Sequence, residues 1–351
     1  MSMSQKRCMI QVSKLILINS ITRERTTENV AFNRVLVPHI KSNYQSEREN
    51  GFKRMFDDNE YSKFSYVFHE NGMWKDAEDL DYQIVEMRMK KKGMRHPSTL
   101  ISMGNLAATY SFQGKYKKAG DLDLKVLDLH KKVLGPEHPH TLTSMANLAF
   151  KYSKQGKYEE ARELEVKVLE LSKKVLWPEH PDTLTSMENL AFTYSCQAKY
   201  EEAWELELKL LDLHEKTLGP EHPDTLTSIG NLALTYALQG KYEEAGKLDL
   251  KLLDLHKKVL GPEHPQTLTS MTHLTKTYSD QGKYDETREL DLKVMDLRKK
   301  VLGIEQVHTF TSMENLAFTC SDQEKYVEAE GLQMKVLDVR KKCWGQTIQI
   351  L

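Results

Sequence analysis

Residues 138–179, HPHTLTSMANLAFKYSKQGKYEEARELEVKVLELSKKVLWPE, carry the pattern that decides the fold. From Leu142 the apolar residues run through Met145, Leu148, Ala149 and Tyr152, and from Tyr158 through Ala161, Leu164, Val168, Leu171 and Val175. Steps of three and four are the signature of an amphipathic helix, here twice over, so the stretch reads as a helix A followed by a helix B. Between them stands Gln155-Gly156-Lys157, where glycine takes the left-handed conformation that ends helix A. Ahead of the stretch, Gly135 and Pro136 stop the preceding helix, and Pro139 suits the first turn of the next. The charges agree: Glu159 and Glu160 lie at the positive start of helix B, Lys173 and Lys174 at its negative end.

The same text recurs on both sides at an offset of 42 residues. His-Pro pairs align at His96-Pro97, His138-Pro139, His180-Pro181, His222-Pro223 and His264-Pro265. Leu106, Leu148, Leu190, Leu232, Leu274 and Leu316 coincide, as do Tyr116, Tyr158, Tyr200, Tyr242, Tyr284 and Tyr326. Small residues recur too, Ala107, Ala149, Ala191, Ala233 and Ala317 on helix A and Ala119, Ala161, Ala203, Ala245 and Ala329 on helix B. They let the two helices approach closely. No single unit buries its apolar face alone, so the expectation is a stack of helix pairs. About seven hairpins are predicted, near 55–95, 96–137, 138–179, 180–221, 222–263, 264–305 and 306–342. Residues 1–54 read as an N-terminal extension, partly disordered or short helical with helix around Val30 to Val37, and 343–351 as a C-terminal tail.

Leu-Ala on helix A, an aromatic further on, then Gly-Lys-Tyr and a small residue on helix B resemble the tetratricopeptide repeat. The unit is 42 residues rather than the ~34 of the common form. The linker Leu218-Gly219-Pro220-Glu221-His222-Pro223-Asp224-Thr225 is similar to that of the kinesin light chain class. This resemblance implies an all-α fold, a right-handed α-α superhelix (solenoid) of about seven antiparallel helix hairpins, over about residues 55 to 342. Upstream, Phe32-Asn33-Arg34-Val35-Leu36-Val37-Pro38-His39-Ile40 is similar to the connector that precedes such repeats in fungal nucleotide-binding receptors of the STAND type.

Composition narrows the function. Fifty Lys plus Arg against 51 Asp plus Glu leave no field to draw the chain to nucleic acid or an anionic membrane. No apolar run approaches the ~20 residues of a membrane span, and Leu15 to Ile18 is too short for a signal-peptide core. Cys8, Cys196, Cys320 and Cys343 share no metal-ligand spacing, which fits a reducing, cytoplasmic setting. Before Glu24 there is no acid while Lys6, Arg7, Lys14 and Arg23 are basic, a composition shared by mitochondrial presequences and ordinary basic starts.

The resemblance also implies where a ligand is held, because in tetratricopeptide proteins the A helices line a groove that receives an extended peptide or a helix. Matching the pattern puts Asn105, Asn147, Asn189, Asn231 and Asn315 just before the Leu-Ala pair, with His273 breaking the row. An amide both donates and accepts, which suits a peptide main chain; the alternative is that each Asn bonds within its own scaffold. One turn earlier come Thr143, Thr185, Thr227, Thr269 and Thr311, and three residues after the Asn come Phe150, Phe192, Leu234 and Phe318. These apolar positions serve either a groove or contact with the next repeat. A Lys/Arg clamp for a terminal carboxylate is absent, with Lys154 and Lys276 isolated.

Other motifs reduce to scaffold. Linker histidines one repeat apart are too far apart to meet at one metal ion, so they are expected to cap or brace. The Gly-Lys pairs are turns rather than phosphate loops, since Tyr follows the Lys. Lys90, Lys91 and Lys92 end a helix B, and the Glu and Lys of the B helices read as solvated surface. No nucleophile, base and orienting group stand together, so the expectation is a scaffold or adaptor without cofactor or enzymatic activity, binding a protein or peptide. Within that class a kinesin-type adaptor is disfavoured, because residues 1–54 show no heptads. A ligand-sensing region truncated from a STAND-type receptor would account for the unusual first 50 residues.

The C-terminal units drift from the consensus. Ala198 and Glu324 replace the turn glycine, Thr275 and Thr287 replace packing alanines, and Gln306-Val307 replaces His-Pro. The C-terminal end is expected to fray first.

Overall fold

In the computed structural model the described residues are 3–21, 26–50, 57–303 and 306–348. They form sixteen α-helices and no strand. The chain divides into two compact units, Met1–Trp177 and Pro178–Leu351. In the first, α1 (Met3–Ser20) and α2 (Thr27–Glu49) precede three hairpins, α3 (Asp58–Glu70) with α4 (Trp74–Lys92), α5 (Pro97–Phe112) with α6 (Tyr116–Leu134), and α7 (Pro139–Lys154) with α8 (Tyr158–Val175). The second holds four: α9 (Pro181–Cys196) with α10 (Tyr200–Leu218), α11 (Pro223–Leu238) with α12 (Tyr242–Leu260), α13 (Pro265–Asp280) with α14 (Tyr284–Leu302), and α15 (Val307–Asp322) with α16 (Tyr326–Ile348). Within each unit every helix from the first hairpin onward packs on the next, the all-α hairpin stack that the repeat implies.

The cores show why one hairpin cannot stand alone. Leu127 of α6 is buried with Leu142, Met145 and Leu148 of α7 and Val168 of α8; Leu211 of α10 joins Leu226, Ile229 and Leu232 of α11 and Leu252 of α12. Each apolar cluster therefore takes one residue from the preceding B helix. Ala107, Ala149, Ala119, Ala161, Ala203 and Ala245 are almost wholly buried where A and B helices meet. At the variant positions Thr275 Oγ1 donates to the Met271 and Thr272 carbonyls and Thr287 Oγ1 to the Lys283 carbonyl, so each added hydroxyl is satisfied by its own helix.

Linker chemistry sets the helix ends. His96, His138, His180, His222 and His264 are each the N-cap of an A helix, their Nδ1 accepting from the backbone N–H two residues on at 3.1–3.2 Å, with Pro in the first turn. Gln306 forms no such side-chain cap on α15. The glycines ending α4, α6, α10, α12 and α14 have φ of 87° to 91° with ψ near 164°, a region nearly closed to other residues. Trp177 stands at that place after α8, and α8 stops at Val175 with Leu176 as cap, one residue short of its counterparts.

Helices also lie outside the repeats. Among the described residues before Asp57, α1 and α2 put Leu17, Ile18, Leu36 and Ile40 into one core with Tyr61, Phe64 and Phe68 of α3. Lys14 Nζ pairs with Glu60 at 2.9 Å, and Tyr61 donates to Glu47. This helix pair covers the side of α3 that faces a preceding B helix in later hairpins, as comparison of Glu60 with the equivalent Ser144 shows, for Ser144 meets His130 of α6. At the other end α16 runs on to Ile348, through most of the expected tail. Among the described residues no helix is long and apolar enough to cross a membrane.

Candidate functional site

The A helices turn one face away from their B partners, and it carries the predicted residues. Thr143, Thr185 and Thr227, Asn105, Asn147 and Asn231 are exposed there, while Asn189 and Asn315 are half-buried. Among the described residues none of these five Asn side chains has a hydrogen-bond partner in the chain. The Thr143, Thr227 and Thr269 hydroxyls donate to the carbonyls of Pro139, Pro223 and Pro265 at 3.0 Å, which leaves a methyl group and an acceptor oxygen for any ligand. Phe150, Phe192, Leu234 and Phe318 are 45%, 53%, 60% and 66% exposed, so contact with the next repeat does not cover them. Ile101, equivalent to Thr143, adds an exposed apolar side chain to α5. Of the isolated lysines, Lys276 Nζ donates to Asp280 at 2.7 Å and Lys154 lies over the Phe150 ring.

Within the units this face is indented. One recess of about 470 Å³ between α5 and α7 brings Asn105, Thr143 and Asn147 together with Ile101, Gly104 and His130. Another of about 430 Å³ between α11 and α13 brings Thr227, Asn231 and Leu234 together with Gly230, Thr269 and His273. Both lie in the size range of ligand-binding cavities. Phe150, Thr185, Asn189, Phe192 and Asn315 lie on A helices but line neither recess. A third hollow, between α3 and α5, is bordered by Lys63, Tyr66 and His69. There Lys63, at the register of Asn105, donates to the Ile18 carbonyl at 3.0 Å.

The floors hold residues that the sequence reading passed over. One acidic residue in each B helix from α4 to α14, Asp81, Asp123, Glu165, Glu207, Asp249 and Asp291, is buried at a single repeat position rather than solvated with the rest of the Glu and Lys, and α16 has Gln333 there. Asp81 accepts from Ser65 and Thr109 and contacts His69 Nε2 at 3.0 Å. Asp249 and Asp291 accept from Thr277 and Thr319 at 2.6 and 2.8 Å. In the α7 hairpin the threonine is replaced by Lys151, whose Nζ lies 3.6 Å from Asp123 Oδ2. Burial pushes the Asp123 carboxyl up to about 6 against the pull of Lys151, and Glu207 up to about 7 against a bond from Thr235. Burial likewise raises Asp249 and Asp291. The signal was present in the sequence as an acid recurring every 42 residues between apolar neighbours.

A second row, buried at His130 and His214 and half-buried at His256, lies two helical turns further along. His130, His214 and His256 hold Nδ1 within 2.7–2.8 Å of Ser144, Ser228 and Ser270 on the next A helix, and burial lowers the pKa of each imidazole. Arg298 takes this place in α14, donating to Ser312. Among the described residues no cluster of His, Cys, Asp and Glu is placed to hold a metal ion.

These features agree with what the chain resembles. One tetratricopeptide repeat family model matches residues 105–174, 208–246, 230–289 and 276–342, and a second matches 183–224. A search of the curated proteins finds no significant match. Among solved structures, a Podosopora anserina protein named as a candidate kinesin light chain with nearly identical TPR-like repeats is 35% identical. That match covers 59% of this chain and 98% of that one, with a TM-score of 0.56. BtubC (BKLC) from P. vanneervenii is 17% identical over 65% of this chain and 91% of its own, at a TM-score of 0.55. A STAND protein with a tetratricopeptide repeat sensor from Pyrococcus horikoshii is 14% identical, covering 93% of this chain and 53% of that one, at 0.63. With family models over more than half of its length and repeats like those of the Podosopora protein, the chain belongs to the tetratricopeptide repeat family, in its kinesin light chain-like form.

Proposed function

We propose that this chain is a protein-interaction scaffold whose A-helix face receives an extended peptide or a helix from a partner protein. The observation that carries this reading is the row of Asn side chains left without partners beside exposed Phe and Leu. Each unpaired amide offers a donor and an acceptor to a peptide backbone, and the apolar side chains supply area that water leaves on binding. Asn105, Asn147, Asn189, Asn231 and Asn315 act as the backbone-holding groups in this proposal. Thr143, Thr185, Thr227, Phe150, Phe192 and Leu234 form the surrounding surface. Changing Asn147, Asn189 and Asn231 together to Ala is expected to lower peptide or partner recovery at least tenfold with the melting temperature unchanged; recovery equal to wild type for every partner would remove the amides from the argument.

A second reading, the ligand-sensing region of a STAND-type receptor, draws on the segment Phe32 to Ile40. That segment lies in α2, which packs directly on the first hairpin as a connector would. A phosphate loop encoded in frame upstream would favour it over a stand-alone adaptor. Both settings use the same face in the same way, and neither requires a catalytic step.

A further inference from the structure

The two recesses on the A-helix face have one feature in common and one difference. Each opens where the helix A residue just before the Asn is glycine, Gly104 on α5 and Gly230 on α11; α7, α9, α13 and α15 carry Ala146, Glu188, Thr272 and Glu314 there. A Cβ on Gly104 would meet nothing within 4 Å, and one on Gly230 would reach only Leu252 at 3.4 Å, so the space beside each glycine is unfilled.

The difference lies at the floors. In the α5–α7 recess the carboxylate, Asp123, already has a cation, the Lys151 ammonium at 3.6 Å. In the α11–α13 recess Asp249, 4% exposed, has the Thr277 hydroxyl and no Lys or Arg within ion-pair reach among the described residues. The other charges bordering it are cancelled in pairs, Glu221 by Lys258 and Asp280 by Lys276. Its imidazoles are His256, bonded to Ser270, and the exposed His273. Above Asp249 the walls are apolar, with Leu226, Leu234, Leu252 and Val259. An aliphatic stem ending in a cation fits such a shape, the stem against the leucines and the charge on the carboxylate.

Resting on the groove reading above, we propose that the α11–α13 recess is a specificity pocket for a Lys or Arg side chain of the bound peptide, with Asp249 as its counter-ion. Lys151 shows the pairing from inside the fold, because it occupies the register of Thr277 and reaches the equivalent carboxylate. Each side chain stands beside a B-helix glycine: Lys151 Cβ lies 3.7 Å from the position of a Cβ on Gly120, and the Thr277 methyl 3.6 Å from that on Gly246. A buried carboxylate that meets a cation from a ligand recovers part of what it lost on leaving water. The α5–α7 recess, with its cation built in, carries no such preference.

The test uses the full chain and an array of short synthetic peptides with randomised flanks and a fixed central Lys, Arg, norleucine, Gln or Glu. Wild type is expected to retain the Lys and Arg sets roughly tenfold better than the norleucine set, about the effect of one charge-assisted contact. Asp249→Asn should abolish the preference, and Gly230→Met should lower binding of all sets by filling the recess. Thr277→Lys supplies an internal cation in a geometry the α7 hairpin already accommodates, and should abolish the preference with the melting temperature kept. Equal binding of Lys and norleucine sets by wild type, or a preference that survives in both Asp249→Asn and Thr277→Lys, overturns the proposal. If peptides bind without charge preference and Asn231→Ala weakens them, the groove reading survives and the pocket does not. If no set binds wild type, both fall.

Discussion

At the scale of single residues, the chain spends polar groups on its own structure in ways that can be separated by substitution. His222 caps α11 through Nδ1, a role that Asn fills with its side-chain oxygen and Ala cannot. His222→Ala is expected to cost about 1 kcal/mol and His222→Asn a few tenths, read from urea unfolding. Glu207 offers a pH-dependent case. Its carboxyl titrates near 7 in the fold against 4.5 as the unperturbed value, so the folded chain holds this proton more tightly than the unfolded one. The penalty for keeping the group buried is absent below about pH 4.5, grows as pH rises and is complete above about 7. Glu207→Gln should therefore stabilise by about 3 kcal/mol at pH 8 and little at pH 4.5. Equal shifts in the melting temperature at both pH values would show that burial of this charge is not the cause. The buried imidazoles act in the opposite sense. With pKa values lowered in the fold, His130, His214 and His256 contribute fully above about 6.5, and their contribution is lost as pH falls below it.

At the scale of helices and turns, the two glycine positions of each repeat behave differently. The A–B turn keeps its left-handed backbone even without glycine, for Ala198 and Glu324 sit at φ 58° and 59°. The surrounding hydrogen bonds hold it there, Lys199 N–H donating to the Tyr194 carbonyl as Lys157 does to Tyr152. Each substitution stores strain of ~1 kcal/mol, so Ala198→Gly and Glu324→Gly should each stabilise by about that amount less the entropy that glycine frees in the unfolded chain. A net loss of stability in both would mean that the turn is relaxed. The linker glycine is stricter: its φ near +90° with ψ near 164° admits almost no other residue, and where Trp177 replaces it the helix ends one residue early instead. A left-handed turn tolerates a Cβ at a modest cost, whereas the linker conformation does not.

At the scale of the whole molecule, stability in a stack is a sum of hairpins and their interfaces, so a weakened end opens before the middle. The C-terminal hairpins lack the cap on α15 and carry strain at Glu324. On α16, Leu337 is 48% exposed, at a register where Leu253 and Leu127 are buried by the next A helix. Hydrogen exchange is expected to protect residues 266–342 less than 140–260; equal protection would count against a frayed end. Sequence alone determined the helix pairs and their period, and it located the linker histidines and the candidate row of Asn, because each is written in local spacing and repeated every 42 residues. It left α1 and α2 mostly unassigned because they lie outside the repeat and are apolar on more than one side, Ile10 and Leu17 inward and Met9, Val12 and Ile16 outward. The buried acid in each B helix from α4 to α14 was recorded in the same periodicity, yet only packing against the next A helix distinguishes it from its solvated neighbours. The recesses at Gly104 and Gly230, and the presence of a cation on Asp123 but not on Asp249, were decided by tertiary structure alone, since each depends on which side chains two different repeats bring to one point.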